Sequence, residues 1–324
     1  MKNFIKKTAQ FTIVTVALLL CVIYIPYYII NKESRFIIND HSKIVLFGHS
    51  HPECAFNDSL ITNFKNLSQS AEPYFYTYQK VRKVLSQNPQ IETVLIEYSN
   101  NQIDEKMNDW TWGYKYMSNM FPQYFSFMDK ADIDLLLKNN SKDFMNCLSI
   151  ATKKNLFRMF TFNYNFSNNI GGYLRLEKFQ TNLTKDTLAV SKNTGNNKSA
   201  NISAINIEYL KKIIDLCHSK HKKVYMVRSP QHKYYEYLKN EEEYMKIKNT
   251  EFSTVELLDF NNFPLADNEF ADPGHLNYKG ALKFSKWFNR MLNSGLLNSK
   301  NKQSLINENI GKVKLSPGKM LSSL

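Results

Sequence analysis

Residues 8–30, TAQFTIVTVALLLCVIYIPYYII, carry no charged side chain. About 20 consecutive apolar residues cross the hydrocarbon core of a bilayer as a helix, so this run is long enough to span one. Lys2, Lys6 and Lys7 precede it, and by the positive-inside rule they hold residues 1–7 in the cytoplasm and send the rest of the chain outside. Tyr24, Tyr27 and Tyr28 fit an interfacial aromatic belt. A cleaved signal peptide is the rival reading, but the apolar run is long and no A-x-A-like site follows it. Cys21 after Leu-Leu-Leu has the setting of a lipoprotein cysteine, yet Leu20 is too large for that cleavage position. The expectation is an uncleaved anchor over 8–30 and a juxtamembrane linker over 31–42.

Apolar residues make up 43% of the 324, with 19 Tyr and 22 Phe, so the exported part can build a sizeable core. With 10 glycines and no G-x-x-x-x-G-K or G-x-G-x-x-G string, a phosphate-cradling loop is not indicated. The net charge of +13 is interleaved with acidic residues along the chain. Anionic lipid or polymer suits such a surface, general lysine usage explains it equally, and no motif points to nucleic acid. Of the cysteines, Cys21 falls in the apolar run; Cys54, Cys147 and Cys217 lack metal-like spacing and are expected as buried thiols, with a Cys54–Cys147 or Cys147–Cys217 disulfide as the alternative.

Apolar runs at 43–48 (KIVLFG), 92–98 (ETVLIEY), 222–230 (KKVYMVRSP) and 253–260 (STVELLDF) read as strands, and 73–88, 201–220 and 278–294 as helices. Strands alternating with helices imply a mostly parallel sheet, an α/β fold. An aromatic-rich insertion over about 102–204 interrupts the rhythm, its polar end over 181–204 expected as a mobile loop. The Lys/Asn/Ser-rich tail, 296–324, is expected to be disordered in part.

The stretch FGHSHPE, 47–53, closes the first strand. As a Gly-His-x-His metal motif it lacks companions: no downstream Asp-x-His or Gly-Asn-His supplies the other ligands, so no metal is expected. As a serine site, Ser50 needs a base and a group to orient that base. Among seven histidines, His275 stands in DPGH, three residues after Asp272, so one loop offers both.

This layout resembles the SGNH (GDSL-like) hydrolase superfamily, over residues 43–295. Gly48-His49-Ser50 matches its first block, NLSQSAE (66–72) sits at the second, YSNNQ (98–102) at the third, and DPGH (272–275) at the fourth. The resemblance implies a three-layer α/β/α sandwich of flavodoxin-like type. It implies Ser50 as nucleophile, His275 as base then acid, and Asp272 as its orienter. The implied oxyanion hole comprises the Ser50 and Ser68 backbone N–H groups and the Asn100 side-chain amide. His49 stands where the family usually has Asp, Ser68 where it has Gly, and the third block departs from Gly-x-Asn-Asp. His49 and His51 are read as wall or supporting residues. Arg228 and His232, at the strand ends where ligands gather, are read as anion-binding or structural.

Exported single-anchor members of this superfamily include esterases and acyltransferases of cell-surface polysaccharides and D-alanyl-transfer proteins. The resemblance therefore implies an acyl-serine enzyme at the outer face of a bacterial cytoplasmic membrane. Its partners would be an acylated glycan and a multispanning acyl-donor protein, and no cofactor is implied. The alternative is a catalytically silent scaffold or glycan-binding partner. For the aromatics at 109–125, sugar stacking, lipid contact and ordinary packing all remain open.

Overall fold

A computed structural model describes residues 1–179 and 201–315, so most of the polar loop expected at 181–204 and the last residues of the tail lie outside the described part. The chain divides into two compact units, residues 1–36 with 109–168, and residues 37–108 with 169 onward.

The first unit is helical. Helix α1 (Lys2–Glu33) contains the whole charge-free run and is the one helix among the described residues long and apolar enough to cross a membrane. Within the same unit come helices α2 (Tyr114–Tyr124), α3 (Lys130–Asn139) and α4 (Ser141–Phe160). Asp129 and Asp132 exchange side-chain and backbone hydrogen bonds at the start of α3, satisfying N–H groups that would otherwise be orphaned. Asn140 caps α4 by accepting the Asp143 N–H at 3.2 Å. The Tyr27 hydroxyl donates to the Met128 carbonyl at 2.8 Å, and Phe36 lies against Phe127 and Phe166, with ring centroids 5.2 and 5.0 Å away. Within 109–125, Met117, Met120, Phe121, Tyr124 and Phe125 are buried in this unit, while Tyr114 is exposed.

The second unit is α/β. Strands β1 (Ile44–Phe47), β2 (Phe64–Asn66), β3 (Thr93–Glu97), β4 (Lys223–Arg228) and β5 (Leu257–Asp259) form one sheet in the order β2-β1-β3-β4-β5. Every pairing is parallel, with Leu46 opposite Leu95 and Leu95 opposite Tyr225. Side chains alternate along a strand, and both sets here are apolar, as strands buried on two faces require. Leu46, Leu95, Val227 and Leu258 join a core with Ala55 of helix α5 (Ser50–Ala55), with Phe56, which directly follows it, and with Phe284 and Phe288 of helix α6 (Tyr278–Asn293). Val45, Val94, Ile96 and Met226 are equally buried on the alternate positions. Helix α7 (Tyr74–Gln87) packs on α8 (Ala204–Ser219), where Phe75 meets Tyr209 at 4.9 Å, and α8 packs on β4. In this strand order the neighbours β1 and β3 send their chains off in opposite directions, leaving a crevice beyond their carboxyl ends.

Two elements differ from the sequence reading. Strand β2 is only three residues long and shows no period of its own. The tail does not stay irregular: Lys302–Leu315 is a helix, α9, whose Ile306 and Ile310 are buried in the sheet core. The apolar pair four residues apart places one face of α9 on that core. Cys54, Cys147 and Cys217 are buried and free, and no disulfide links them.

Candidate active site

Gly48 and His49 carry the chain from β1 into α5, whose first residue is Ser50. The turn is tight. A Cβ on Gly48 would lie 2.6 Å from Glu97 Cβ and from Pro52 Cγ, so only glycine fits.

Ser50 is partly exposed, and its Oγ lies 2.7 Å from His275 Nε2. His275 Nδ1 is 2.8 and 3.0 Å from the two oxygens of Asp272. The contact with the carboxylate puts the ring proton on Nδ1 and leaves Nε2 to accept from the serine hydroxyl. Asp272 and His275 occupy a short antiparallel hairpin, Phe270–Asp272 with His275–Leu276, directly before α6. Within that turn Asp272 Oδ1 also accepts the Gly274 and His275 N–H groups at 2.9 and 3.1 Å. Burial alone would raise the Asp272 carboxyl. The His275 ring and these two N–H groups outweigh it and hold the group below its ordinary value. The Asp-x-x-His spacing therefore does what its chemistry requires: one carboxylate fixes both the turn and the ring.

Behind Ser50 lies a fully buried polar cluster that the sequence reading did not assemble. Its centre is Glu97, the last residue of β3, with no exposed surface. Glu97 Oε2 accepts the His49 backbone N–H at 2.7 Å and lies 2.9 Å from His49 Nδ1. His49 Nδ1 is also 3.3 Å from the His51 N–H, but the shorter carboxylate contact assigns it the proton. His49 Nε2 then accepts from the Asn101 amide at 2.7 Å. Glu97 Oε1 lies 3.1 Å from His51 Nδ1, which also meets the Gln231 amide at 3.0 Å. Burial favours a neutral Glu97, but His49 and His51 outweigh it and hold the carboxyl well below the usual range. Burial and the neighbouring His49 push His51 down to about 4, so its ring is neutral near pH 7.

His49, His51 and Glu97 are also a group whose ligand atoms lie within 4.8 Å of one another. A resident metal suits them poorly: the His49 nitrogens already face Glu97 and Asn101, and the Glu97 oxygens face His49 and His51.

The remaining expected site residues fall elsewhere. The Ser68 N–H is committed to Asn66 Oδ1 at 3.0 Å, because Asn66 folds back over its own turn, so it is not a free donor. Asn100 turns away: its amide donates to Glu241 at 3.0 Å and its oxygen accepts from Arg228 at 3.3 Å. Asn101, its neighbour, is the asparagine that reaches the Ser50 loop. Arg228 is taken by Asp259 and Glu241, and His232 lies 3.1 Å from Asp267, so both make structural contacts rather than offering an anion site. Ala71, on the loop between β2 and α7, has φ +61°, a left-handed conformation that glycine favours. Glu97 had a weak signal, a lone acid ending an apolar strand, and Asn101 is the immediate neighbour of the asparagine expected at the site.

A family model for a domain of unknown function matches residues 180–297, a stretch that contains Asp272 and His275 but not Ser50. No curated protein matches the chain.

Proposed function

We propose that this chain is a membrane-anchored serine esterase or O-acyltransferase of the SGNH type, acting on acyl groups of an extracytoplasmic glycan. The observation that carries the reading is the unbroken hydrogen-bonded path Ser50–His275–Asp272, open to solvent at the crevice end of a parallel sheet. The strand order 2-1-3-4-5 and the four blocks of the superfamily support it.

Ser50 Oγ attacks the acyl carbonyl while His275 Nε2 takes its proton, and Asp272 steadies the imidazolium that forms. The oxyanion would be met by the Ser50 N–H. Ala71, at φ +61°, and Asn101, whose amide donates to His49 Nε2 at 2.7 Å, stand beside the positions that the resemblance gave to Ser68 and Asn100, so the Ser50 N–H is the donor on which the proposal rests. Collapse expels the alcohol with the proton from His275 and leaves an acyl-Ser50 ester. Water or a sugar hydroxyl, deprotonated by His275, then attacks that ester and frees Ser50. Helix α1 would hold the unit at the outer face of a cytoplasmic membrane, within reach of a multispanning acyl donor, with residues before it inside. No cofactor enters these steps.

A silent scaffold or glycan-binding role is the second reading, favoured by the engagement of the Ser68 N–H and Asn100 in other bonds. Acyl release from acetylated cell-surface polysaccharide by the full-length protein decides between them. Turnover that falls by about 10³-fold or more in Ser50→Ala supports the enzyme. Equal turnover in the variant, or none in either protein, supports the second reading.

A further inference from the structure

The C-terminal tip of α4 presents three phenylalanines to solvent: Phe157, Phe160 and Phe162 are 66%, 73% and 79% exposed. Scattered exposed apolar residues need no explanation, but these three fall within six residues at one helix end. The last of them is held there against its own conformational preference. Helix α4 closes with a double turn in which the Phe162 N–H donates to the Met159 carbonyl and the Asn163 N–H to that of Arg158. That pattern places Phe162 at the left-handed position, φ +51°, where helices commonly use glycine. Among the described residues, none covers the ring that this backbone puts outward, which is 79% exposed. Backbone strain of this kind clusters at functional surfaces, where the surrounding structure over-determines it.

The same unit says what supplies it. The loop just after Phe162 is bonded to the end of α1: the Arg35 N–H donates to the Tyr164 carbonyl and the Phe166 N–H to the Arg35 carbonyl, each at 2.8 Å. Arg158 lies over the Phe166 ring at 4.0 Å, and Phe166 stacks on Phe36. The phenylalanine tip is thus fixed at the place where the apolar helix ends. Lys153 and Lys154 are exposed one turn away, and the segment from Ser149 to Phe160 contains no acid. Aromatic rings with cations above them match the boundary between acyl chains and anionic headgroups.

We infer that Phe157, Phe160 and Phe162 form a lipid-contact surface that seats the first unit on the bilayer crossed by α1. This rests on reading α1 as a retained anchor. The tip adds apolar burial beside the span, so the unit is held against the membrane surface rather than tethered by one helix.

The test uses the full-length protein in nanodiscs of phosphatidylcholine and phosphatidylglycerol. Bimane is placed in turn by Phe157→Cys, Phe160→Cys and Phe162→Cys in a Cys21→Ala background, the three other cysteines being buried. Cys21 of the parent reports on the span, and Ser59→Cys, an exposed position of the second unit, serves as comparison. Three positions are read separately so that one misfolded variant leaves two to decide. Lipids carrying a nitroxide high on the acyl chain should quench the tip labels and spare the Ser59 label. Quenching at Cys21 without quenching at the tip would overturn the surface while leaving the anchor, and would assign the phenylalanines to a protein partner instead. No quenching at Cys21 would remove the anchor and the surface with it. Equal quenching at Ser59 and the tip would also overturn it, since the tip would then be no particular contact.

Discussion

Glu97 is the residue on which the Ser50 turn rests. Its carboxylate takes the His49 backbone N–H and both neighbouring imidazoles in a space without solvent. That arrangement makes the unit acid-sensitive in a definite window. His51 has a folded pKa of about 4 against an ordinary 6.5, so on acidification the unfolded chain takes the proton first. Its contribution to stability is intact above pH 6.5 and is lost as pH falls towards 4; at about 1.4 kcal/mol per pH unit this is about 3 kcal/mol. Glu97 and Asp272, both held low, contribute fully above the ordinary carboxylate range and lose that contribution as pH falls from that range towards their lower folded values. Thermal unfolding of His51→Gln should therefore depend less on pH between 6.5 and 4 than that of the parent, and an unchanged dependence would contradict the assignment. Gly48→Ala drives a methyl group into Glu97 and Pro52, and equilibrium unfolding should show a loss of about 1–3 kcal/mol. The trio of the proposed chemistry was legible in the sequence because a serine, a base and its orienter constrain spacing: Ser50, Asp272 and His275 were singled out that way, and the structure brings them together. Glu97 was not, because a single acid after four strand residues looks like the end of a strand. Asn100 and Ser68 are bonded elsewhere because adjacent polar residues in a turn differ in direction, which only the backbone decides.

Among the elements, long apolar strands and capped helices followed the sequence closely. The run ETVLIEY became Thr93–Glu97, and the final amphipathic stretch became Tyr278–Asn293. Strand β2 escaped because Phe64–Asn66 is too short for any period, and it exists through its pairing with β1. Helix α9 escaped because its Lys, Asn and Ser content reads as solvent-facing, while two isoleucines do the packing. Ile306→Ala should accordingly cost about 2–5 kcal/mol in equilibrium unfolding, since Ile306 is wholly buried beside the strand β5 core. A cost near zero would mean that the helix is peripheral to that core.

At the scale of the whole molecule, the sequence order conceals the grouping of residues 109–168 with residues 1–36. An insertion between two strands reads as an ornament of the domain it interrupts; its aromatic packing on α1 depends on contacts across a hundred residues, which no local pattern encodes. The second unit then carries the proposed chemistry at the carboxyl end of its sheet, with Ser50 arriving from the turn after β1, Glu97 from β3, and Asp272 with His275 from one hairpin. The central claim is that this end activates Ser50. Its most direct test exposes the full-length protein to a fluorescent fluorophosphonate and maps the labelled peptide by mass spectrometry, beside Ser50→Ala and His275→Ala. The account predicts labelling at Ser50 that is absent in Ser50→Ala and falls by about 10³-fold or more in rate in His275→Ala. A folded protein that takes no label at Ser50, or labels equally without His275, would contradict it.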